Sequence, residues 1–166
     1  ASPYEKEKLQ TREKVLKERV EETQIPIVYV NQVGAQDELV FDGGSFAMNS
    51  QKEIIARASQ FKEEILIFDI EVNNQETTKS ENLVQITSDL RKEAAVNTSP
   101  PPVLTEEEQT WNALCLGTRD YVKKNGFTDV CLGLSGGIDS AIVEAKSCQN
   151  GGDSNRLRRV GTATNP

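Results

Sequence analysis

The sequence contains no histidine, and aromatic residues make up only 5% of it. Without histidine, the commonest general base and the commonest metal ligand of proteins are both absent. The three cysteines, Cys115, Cys131 and Cys148, are odd in number and widely spaced. This pattern fits neither a disulfide framework nor a C-x-x-C metal site. We therefore expect a protein of a reducing compartment, the cytoplasm.

Long hydrophobic runs are also lacking, and the net charge is −7. No run approaches the roughly 20 apolar residues that cross a membrane, and residues 1–24 are too rich in Lys and Glu for a signal peptide. A nonspecific nucleic-acid binder needs a basic face, which an acidic chain disfavours. The sequence therefore predicts no nucleic-acid partner and no membrane partner, and its 166 residues suffice for one globular domain.

The first 24 residues have the pattern of an amphipathic helix. Ser2, Pro3 and Glu5 fit the N-cap, N1 and N3 positions of a capping box. Leu9, Leu16 and Val20 then recur at helical spacing. These patterns predict a helix from Pro3 to about Glu22 with a narrow apolar stripe.

Strands are predicted in the following stretch. The apolar run Ile25–Val30 indicates a strand buried on both faces, and the polar residues 31–38 indicate a loop. A hairpin turning at Asp42-Gly43-Gly44 is predicted to join 39–41 to 45–48. Glu53–Ala58 and Glu64–Ile70 are further strand candidates.

Composition changes sharply after residue 70. Asn, Gln, Thr, Ser and Glu dominate residues 71–104, which include three consecutive prolines at 100–102. This stretch is therefore predicted to be a linker. Whether it contains a short helix at 81–94 is left open. A capping box, Thr105 with Glu108, opens a helix that ends at Asn125-Gly126. A strand over 127–134 follows. Residues 146–166 have no apolar periodicity and are predicted to be a disordered tail.

The sequence Ser-Gly-Gly-Ile-Asp-Ser at 135–140 carries the most chemical information. It follows an apolar run and precedes a predicted helix. Glycines lack Cβ atoms, so backbone N–H groups can close around an anion, and the helix adds its positive end. The loop has no Lys and does not fit the pattern of γ-phosphate transferases. It therefore predicts a phosphate cradle of another kind, and the alternative is an ordinary glycine-rich turn.

Several motifs together resemble one family. Ser-Gly-Gly-x-Asp-Ser resembles the pyrophosphate loop of ATP pyrophosphatases. Residues 26–34 and 37–45 resemble the late part of the nitrilase-like glutaminase domain of glutamine-dependent NAD synthetases, and 116–127 with 133–140 resemble the start of their synthetase domain. This resemblance implies an α/β fold: the C-terminal part of a nitrilase-like α/β sandwich (1–70), the linker, and the start of a Rossmann-like adenine-nucleotide-hydrolase domain (105–145), with the tail unmatched.

The resemblance also implies an activity. Members of this family are ligases of NAD biosynthesis that release ammonia from glutamine with a Cys, a Glu and a Lys. They adenylate deamido-NAD with ATP and Mg²⁺, and ammonia then displaces AMP to give NAD. The parent protein is expected to be a homo-oligomer with glutamine, ATP and deamido-NAD as substrates.

Family roles carry over to a few positions of this sequence. Asp139 matches the position that the family gives to Mg²⁺, although it also suits a helix N-cap. Ser2 and Lys8 match glutamine-binding positions of the family. The alternative for Ser2 is a helix-capping role, and the alternative for Lys8 is that it is simply one of a run of exposed charged residues. The residues that match the ATP loop are Gly133, Leu134, Ser135, Gly136, Gly137, Ile138, Asp139 and Ser140.

No catalytic residue is expected within this chain. The family's Cys, Glu and Lys would precede Ala1, and its deamido-NAD site and later metal ligand would follow residue 145. The sequence is therefore predicted to be a fragment that is inactive alone in both half-reactions. Two other interpretations stay open. One is another ATP-pyrophosphatase amidotransferase or an ammonia-dependent NAD synthetase, and the other is a non-catalytic nitrilase-like interaction module.

Overall fold

The computed structural model describes residues 1–71, 100–149 and 156–160. The mixed α/β class predicted from the sequence is confirmed. The short helix left open at 81–94 lies outside the described residues, as does most of the predicted linker. The elements, in chain order, are α1 (Lys8–Thr23), β1 (Ile27–Tyr29), β2 (Val33–Gln36), β3 (Leu39–Asp42), β4 (Phe46–Met48), β5 (Ile54–Arg57), α2 (Glu106–Lys124), β6 (Asp129–Gly133), α3 (Ile138–Gln149) and β7 (Arg156–Val160).

Helix α1 begins later than the sequence predicted. It starts at Lys8, and its N-cap residue Glu7 makes no capping hydrogen bond through its side chain. The capping box predicted at Ser2 is wrong because the chain before Lys8 is bonded to distant residues instead. The Tyr4 N–H donates to the Val40 carbonyl oxygen at 2.7 Å, so this segment lies beside β3 rather than forming a helical turn.

The core of the first part lies between α1 and an antiparallel three-stranded sheet of order β1-β4-β5. Val20 of the predicted apolar stripe packs there with Phe46 and Met48, and all three are at most 1% exposed. Partly buried side chains close this core: Leu16, Ile27, Tyr29 and Ile54. The helical stripe is therefore confirmed, and it is what holds α1 on the sheet.

The prediction of burial on both faces of β1 is wrong. The strand lies at the edge of its sheet, and its side chains alternate between the core and solvent. Val28 is 46% exposed and Val30, just beyond the strand, is 77% exposed. Only Ile27 and Tyr29 pack against the core.

The predicted hairpin has a different register. Residues 33–36, predicted to be loop, form β2 and pair antiparallel with β3 across a turn at Asp37-Glu38. Gly43 and Gly44 do not close a hairpin. Their φ angles of 64° and 60° carry the chain from β3 in one sheet to β4 in the other.

The strand predicted at Glu64–Ile70 is also not formed. Ile65 and Ile67 are 92% and 65% exposed, and within the described ranges no strand lies beside them. An apolar run needs a neighbouring strand before it can join a sheet. By contrast, the strand predicted at Glu53–Ala58 is present as β5.

The second part follows its sequence signals closely. The capping box of α2 is confirmed: the Glu108 N–H donates to the Thr105 hydroxyl at 3.2 Å, and the Thr105 N–H donates to Glu108 Oε2 at 2.8 Å. The helix ends before Gly126, whose φ is 72°. Strand β6, a short loop and α3 then follow in the predicted order.

Two features differ towards the end of the chain. Helix α3 extends to Gln149, beyond the two turns that the sequence predicted. Strand β7 lies in the stretch predicted to have no regular structure, and it pairs parallel with β6. Among the described residues, no helix is both long and apolar enough to cross a membrane.

Candidate functional site

The loop between β6 and α3 contains the residues predicted to bind ATP. Strand β6 ends at Gly133 and α3 begins at Ile138, so the intervening residues form a tight strand-to-helix connection. Gly136 has a φ of 82°, a left-handed conformation that is strained for residues with a side chain. A Cβ atom added at Gly133 or Gly136 would meet nothing within 4 Å. There is therefore open space beside Gly133 and Gly136.

Two hydroxyl groups hold the loop in shape. Ser140 Oγ donates to the Gly137 carbonyl oxygen at 2.9 Å, and the Ser135 hydroxyl donates to Ser140 Oγ at 3.2 Å. The Gly137 N–H donates to Ser135 Oγ at 3.5 Å. The first N–H groups of any α-helix lack intrahelical acceptors, so those of α3 are available to a ligand. The structure thus joins Ser135, Gly137 and Ser140, three of the residues predicted to bind ATP, by hydrogen bonds to one another.

Asp139 is the second residue of α3 and is exposed. Its alternative role as a helix N-cap is wrong, because an N-cap precedes the first helical residue. A carboxylate in the first turn is stabilised by the helix dipole. Carboxylate oxygens are also hard ligands that suit Mg²⁺, which takes one or two carboxylates together with substrate phosphates. Asp139 therefore fits the chemistry of a magnesium ligand next to a phosphate.

Ser2 lies in a second polar cluster, far along the chain from the loop. Asn31 bonds the Ser2 backbone twice: its Oδ1 accepts from the Ser2 N–H at 2.9 Å, and its Nδ2 donates to the Ser2 carbonyl at 3.0 Å. Arg12 Nε donates to Ser2 Oγ at 3.2 Å. The main chain and the hydroxyl of Ser2 are therefore both fixed in position.

Arg12 and Asp42 form the centre of this cluster. Arg12 Nη1 lies 2.9 Å and 3.0 Å from the two carboxylate oxygens of Asp42. The side chains are only 5% and 1% exposed, respectively. Arg12 Nη2 also donates to the Ser2 and Pro3 carbonyls, at 2.8 Å and 3.2 Å. The pair connects α1, the end of β3 and the N-terminal segment.

Sequence reasoning missed this cluster. Arg12 lies three residues after Leu9 and four before Leu16, within the buried stripe of α1. A charged residue at such a position needs a buried partner. That spacing was the signal that could have identified Arg12, although it does not say which acid lies opposite.

Lys8, the second predicted glutamine ligand, is the first residue of α1. Its Nζ lies 2.9 Å from Glu5 Oε2, and its side chain is 36% exposed. The structure therefore gives Lys8 a surface ion pair rather than a place in the Arg12–Asp42 cluster. Surface pairs of this kind break at little cost, so its ammonium group stays accessible.

In the described part of the chain, no group of three or more His, Cys, Asp or Glu side chains could hold a metal ion. Cys115 is buried and Cys131 is exposed. The described residues therefore contain two separate candidate sites, the phosphate loop and the Ser2 cluster.

Comparison with known families gives two matches, one in each part of the chain. Residues 2–80 match the carbon-nitrogen hydrolase family, and residues 110–158 match the NAD synthase family. The first match contains the Ser2 cluster and the second contains the phosphate loop. The second also extends beyond residue 145, where the sequence-based resemblance ended, and takes in part of β7.

The chain is also similar to curated proteins and a solved structure over most of its length. The chain is 40% identical to glutamine-dependent NAD(+) synthetase of Synechocystis sp. over 157 residues, 95% of this chain. It is 39% identical to that of Rhodobacter capsulatus over 86% of this chain. The structure is similar to that of glutamine-dependent NAD+ synthetase from Acinetobacter baumannii in complex with adenosine diphosphate, with a TM-score of 0.72 and 37% identity over 96% of this chain.

The chain spans about a quarter of the length of these relatives. It covers 25% of the Synechocystis protein, 23% of the Rhodobacter protein and 27% of the Acinetobacter chain. Within this chain the carbon-nitrogen hydrolase match precedes the NAD synthase match.

Proposed function

Because the chain belongs to the family of glutamine-dependent NAD(+) synthetases, we propose that it is part of an ATP-dependent ligase that amidates deamido-NAD to NAD with ammonia from glutamine. The observation that supports this most directly is the open Ser-Gly-Gly loop between β6 and α3, which lies within the NAD synthase match. A carbon-nitrogen hydrolase segment in the same chain explains the source of ammonia, and an ammonia-dependent enzyme would not need it.

The chemistry of amidation accounts for the loop. A carboxylate oxygen is a poor leaving group. In adenylation it attacks the α-phosphorus of ATP and pyrophosphate is released, so that this oxygen can later depart as part of AMP when ammonia attacks the carbonyl carbon. A loop that serves this reaction must hold the β- and γ-phosphates without transferring one. The backbone N–H groups in the first turn of α3 suit that task. The ATP-binding residues that we propose are Gly133, Leu134, Ser135, Gly136, Gly137, Ile138, Asp139 and Ser140.

Asp139 would hold Mg²⁺ beside the phosphates. When bound, the ion neutralises the charge that develops on the departing pyrophosphate. Asp139 lies in the first turn of α3, directly after the loop. Its carboxylate would otherwise repel the phosphates, so its presence there is best explained by a shared cation.

Ser2 and Lys8 are the residues that we propose for glutamine. Arg12 Nε can only donate a hydrogen bond, so Ser2 Oγ must accept it and keeps its own proton for a ligand. A carboxylate or amide oxygen of glutamine provides the matching acceptor. The carboxylate of glutamine would also replace that of Glu5 as the partner of Lys8.

The other properties of the parent protein are part of the same proposal. We place it in the cytoplasm, where NAD synthesis meets its substrates, and we expect a homo-oligomer. The glutaminase part ends near residue 70, and the synthetase part begins near residue 105. Since the chain spans a quarter of its relatives, we expect it to form no NAD on its own.

The test is a nuclear magnetic resonance titration of the isotope-labelled chain with Mg-ATP. We expect amide shifts at 133–140, and we expect Asp139→Asn to weaken the response to Mg-ATP more than the response to ATP without metal. Lys123→Met, an exposed change outside the loop, serves as the control. Shifts that avoid the loop at millimolar nucleotide would contradict the proposal.

A further inference from the structure

Helix α2 closes the free edge of the β2–β3 hairpin. Ala35 of β2 lies opposite Val40 of β3, and both backbone polar groups of Ala35 are bonded by α2 instead. The Ala35 N–H donates to Asp120 Oδ2 at 2.7 Å, and Lys124 Nζ donates to the Ala35 carbonyl at 2.5 Å. Ala35 is only 5% exposed. The edge of the hairpin is thus bonded as if a further strand lay beside it.

The spacing of the two side chains explains how a helix can do this. Residues four apart lie on one face of a helix, about 6 Å apart along its axis. A strand presents the N–H and C=O of alternate residues on one edge. An Asp followed four residues later by a Lys therefore supplies one acceptor and one donor to the same strand residue.

Small residues allow the helix to approach closely. A Cβ atom at Gly34 would lie 3.3 Å from Asp120 Oδ2, and the φ of Gly34 is 144°. A Cβ atom at Gly117 would lie 3.7 Å from a methyl group of Val40. Both glycines therefore lie where the hairpin and α2 touch. Asp120 is largely enclosed there, with its side chain 13% exposed, and it is also paired with Arg119.

This contact joins the two family segments. Ala35 lies in the carbon-nitrogen hydrolase match, and Asp120 and Lys124 lie in the NAD synthase match. We propose that the β2 edge is a docking surface for a helix carrying Asp and Lys four residues apart, and that it holds α2 in place without help from the connecting residues. This inference does not depend on the proposed ligase activity.

A second contact of α2 with the first part of the chain, between Lys6 and Glu106, provides a contrast. Lys6 Nζ lies 2.5 Å from Glu106 Oε1, but the side chains are 66% and 59% exposed. The hydrogen bond and charge of Glu106 raise the pKa of Lys6 above its ordinary value, which favours the charged form of the lysine. Exposed pairs contribute little, and docking should therefore depend on Asp120 rather than on Glu106.

The experiment inserts a specific protease site between residues 85 and 86 of the full chain. After cleavage, the two pieces are separated by size-exclusion chromatography over a series of dilutions. We expect the pieces of the parent chain to elute together. Asp120→Ala should raise their dissociation constant at least about tenfold, because the buried Ala35 N–H loses its acceptor. Alanine favours helix, so α2 itself is preserved.

Two matched controls isolate the contact. Lys124→Met and Lys123→Met remove the same charge from the same turn of α2, but only Lys124 bonds Ala35. Lys124→Met should weaken docking by about two- to fivefold, and Lys123→Met should leave it unchanged. Glu106→Gln should change it less than Asp120→Ala does.

Hydrogen exchange provides a second readout on the uncut chain. The Ala35 amide should exchange slowly in the parent and faster in Asp120→Ala, with the other hairpin amides unchanged. Three results would overturn the proposal: pieces of the parent chain that separate at once, Asp120→Ala pieces that bind as tightly as the parent's, or an uncut chain whose α2 docks on a second copy and forms a dimer.

Discussion

Replacing Arg12 with Met provides a stringent test of the Ser2 cluster. The guanidinium group is the cation that neutralises Asp42, and both side chains are almost fully buried. Removing one partner of a buried ion pair leaves an uncompensated charge and costs about 3–5 kcal/mol. In Arg12→Met, the remaining donors to Asp42 are the amides of Asn31 and Gln60, both at 3.4 Å. These long bonds cannot replace the contacts of Arg12.

The loss extends beyond the ion pair. Arg12 also donates to the carbonyls of Ser2 and Pro3, so Arg12→Met frees the N-terminal segment from α1. Natural domains are stable by about 5–15 kcal/mol, and a loss of about 3–5 kcal/mol is a large share of that. We therefore expect a folded but strongly destabilised protein.

The assay is urea unfolding followed by far-ultraviolet circular dichroism, with the free energy of unfolding extrapolated to water. Arg19→Met is the matched control, because Arg19 also lies in α1 but pairs with Glu22 at the surface. It should change the free energy of unfolding by no more than about 0.5 kcal/mol. An Arg12→Met variant as stable as Arg19→Met would refute the reasoning.

A double variant keeps the test valid if Arg12→Met does not fold. Arg12→Met with Asp42→Asn removes the buried negative charge together with its partner. Replacing both members of a buried pair is less costly than breaking it. The double variant should therefore be more stable than Arg12→Met alone, and additive losses would show that the two charges do not interact.

Three further predictions concern α2 and use the same unfolding assay. Gly117→Ala should stabilise the chain by about 0.5–1 kcal/mol, because alanine favours helix and its Cβ would make only an ordinary contact at 3.7 Å. A loss of stability would contradict this and would mean that the hairpin cannot accommodate the added methyl group. Gly126→Ala should cost about 1 kcal/mol because the φ of Gly126 is 72°, and an unchanged midpoint would contradict this. Thr105→Ala removes the acceptor of the Glu108 N–H and should cost about 1 kcal/mol, whereas a neutral effect would mean that water replaces the cap.

Local signals predicted the second part of the chain well. The capping box at Thr105, the Asn125-Gly126 stop and the strand-to-loop order before Ser135 all depend on residues close in sequence. Their hydrogen bonds span three to five residues, which a sequence pattern can display. For this reason both ends of α2 and the position of the phosphate loop were found.

The first part depends on contacts between distant residues, and there the predictions failed. Ser2 was assigned a helix cap, but its partners are ten and 29 residues away in Arg12 and Asn31. Strand β2 reads Val-Gly-Ala-Gln, a weak strand pattern, and its free edge is closed by Asp120, 85 residues away. No local rule indicates such a partner, so β2 was predicted to be a loop.

The two candidate sites show the same contrast between local signals and contacts of distant residues. The loop residues were predicted from one contiguous motif, and the structure places Ser135, Gly137 and Ser140 in mutual contact. The surroundings of Ser2 were not predicted, since Arg12 and Asp42 meet only after α1 and β3 fold together. One contiguous motif therefore predicted all the residues of one candidate site, whereas only a single residue of the Ser2 cluster was predicted.

NAD formation by a chimera tests the central proposal most directly. This chain would replace the matching quarter of the Synechocystis glutamine-dependent NAD(+) synthetase, and NAD would be measured from deamido-NAD, ATP and ammonia. We predict that the chimera forms NAD and that Gly136→Val, which forces a branched side chain into a left-handed conformation, abolishes NAD formation while the protein stays folded. A folded chimera that makes no NAD, or one that Gly136→Val leaves fully active, would contradict the assignment of this loop to ATP.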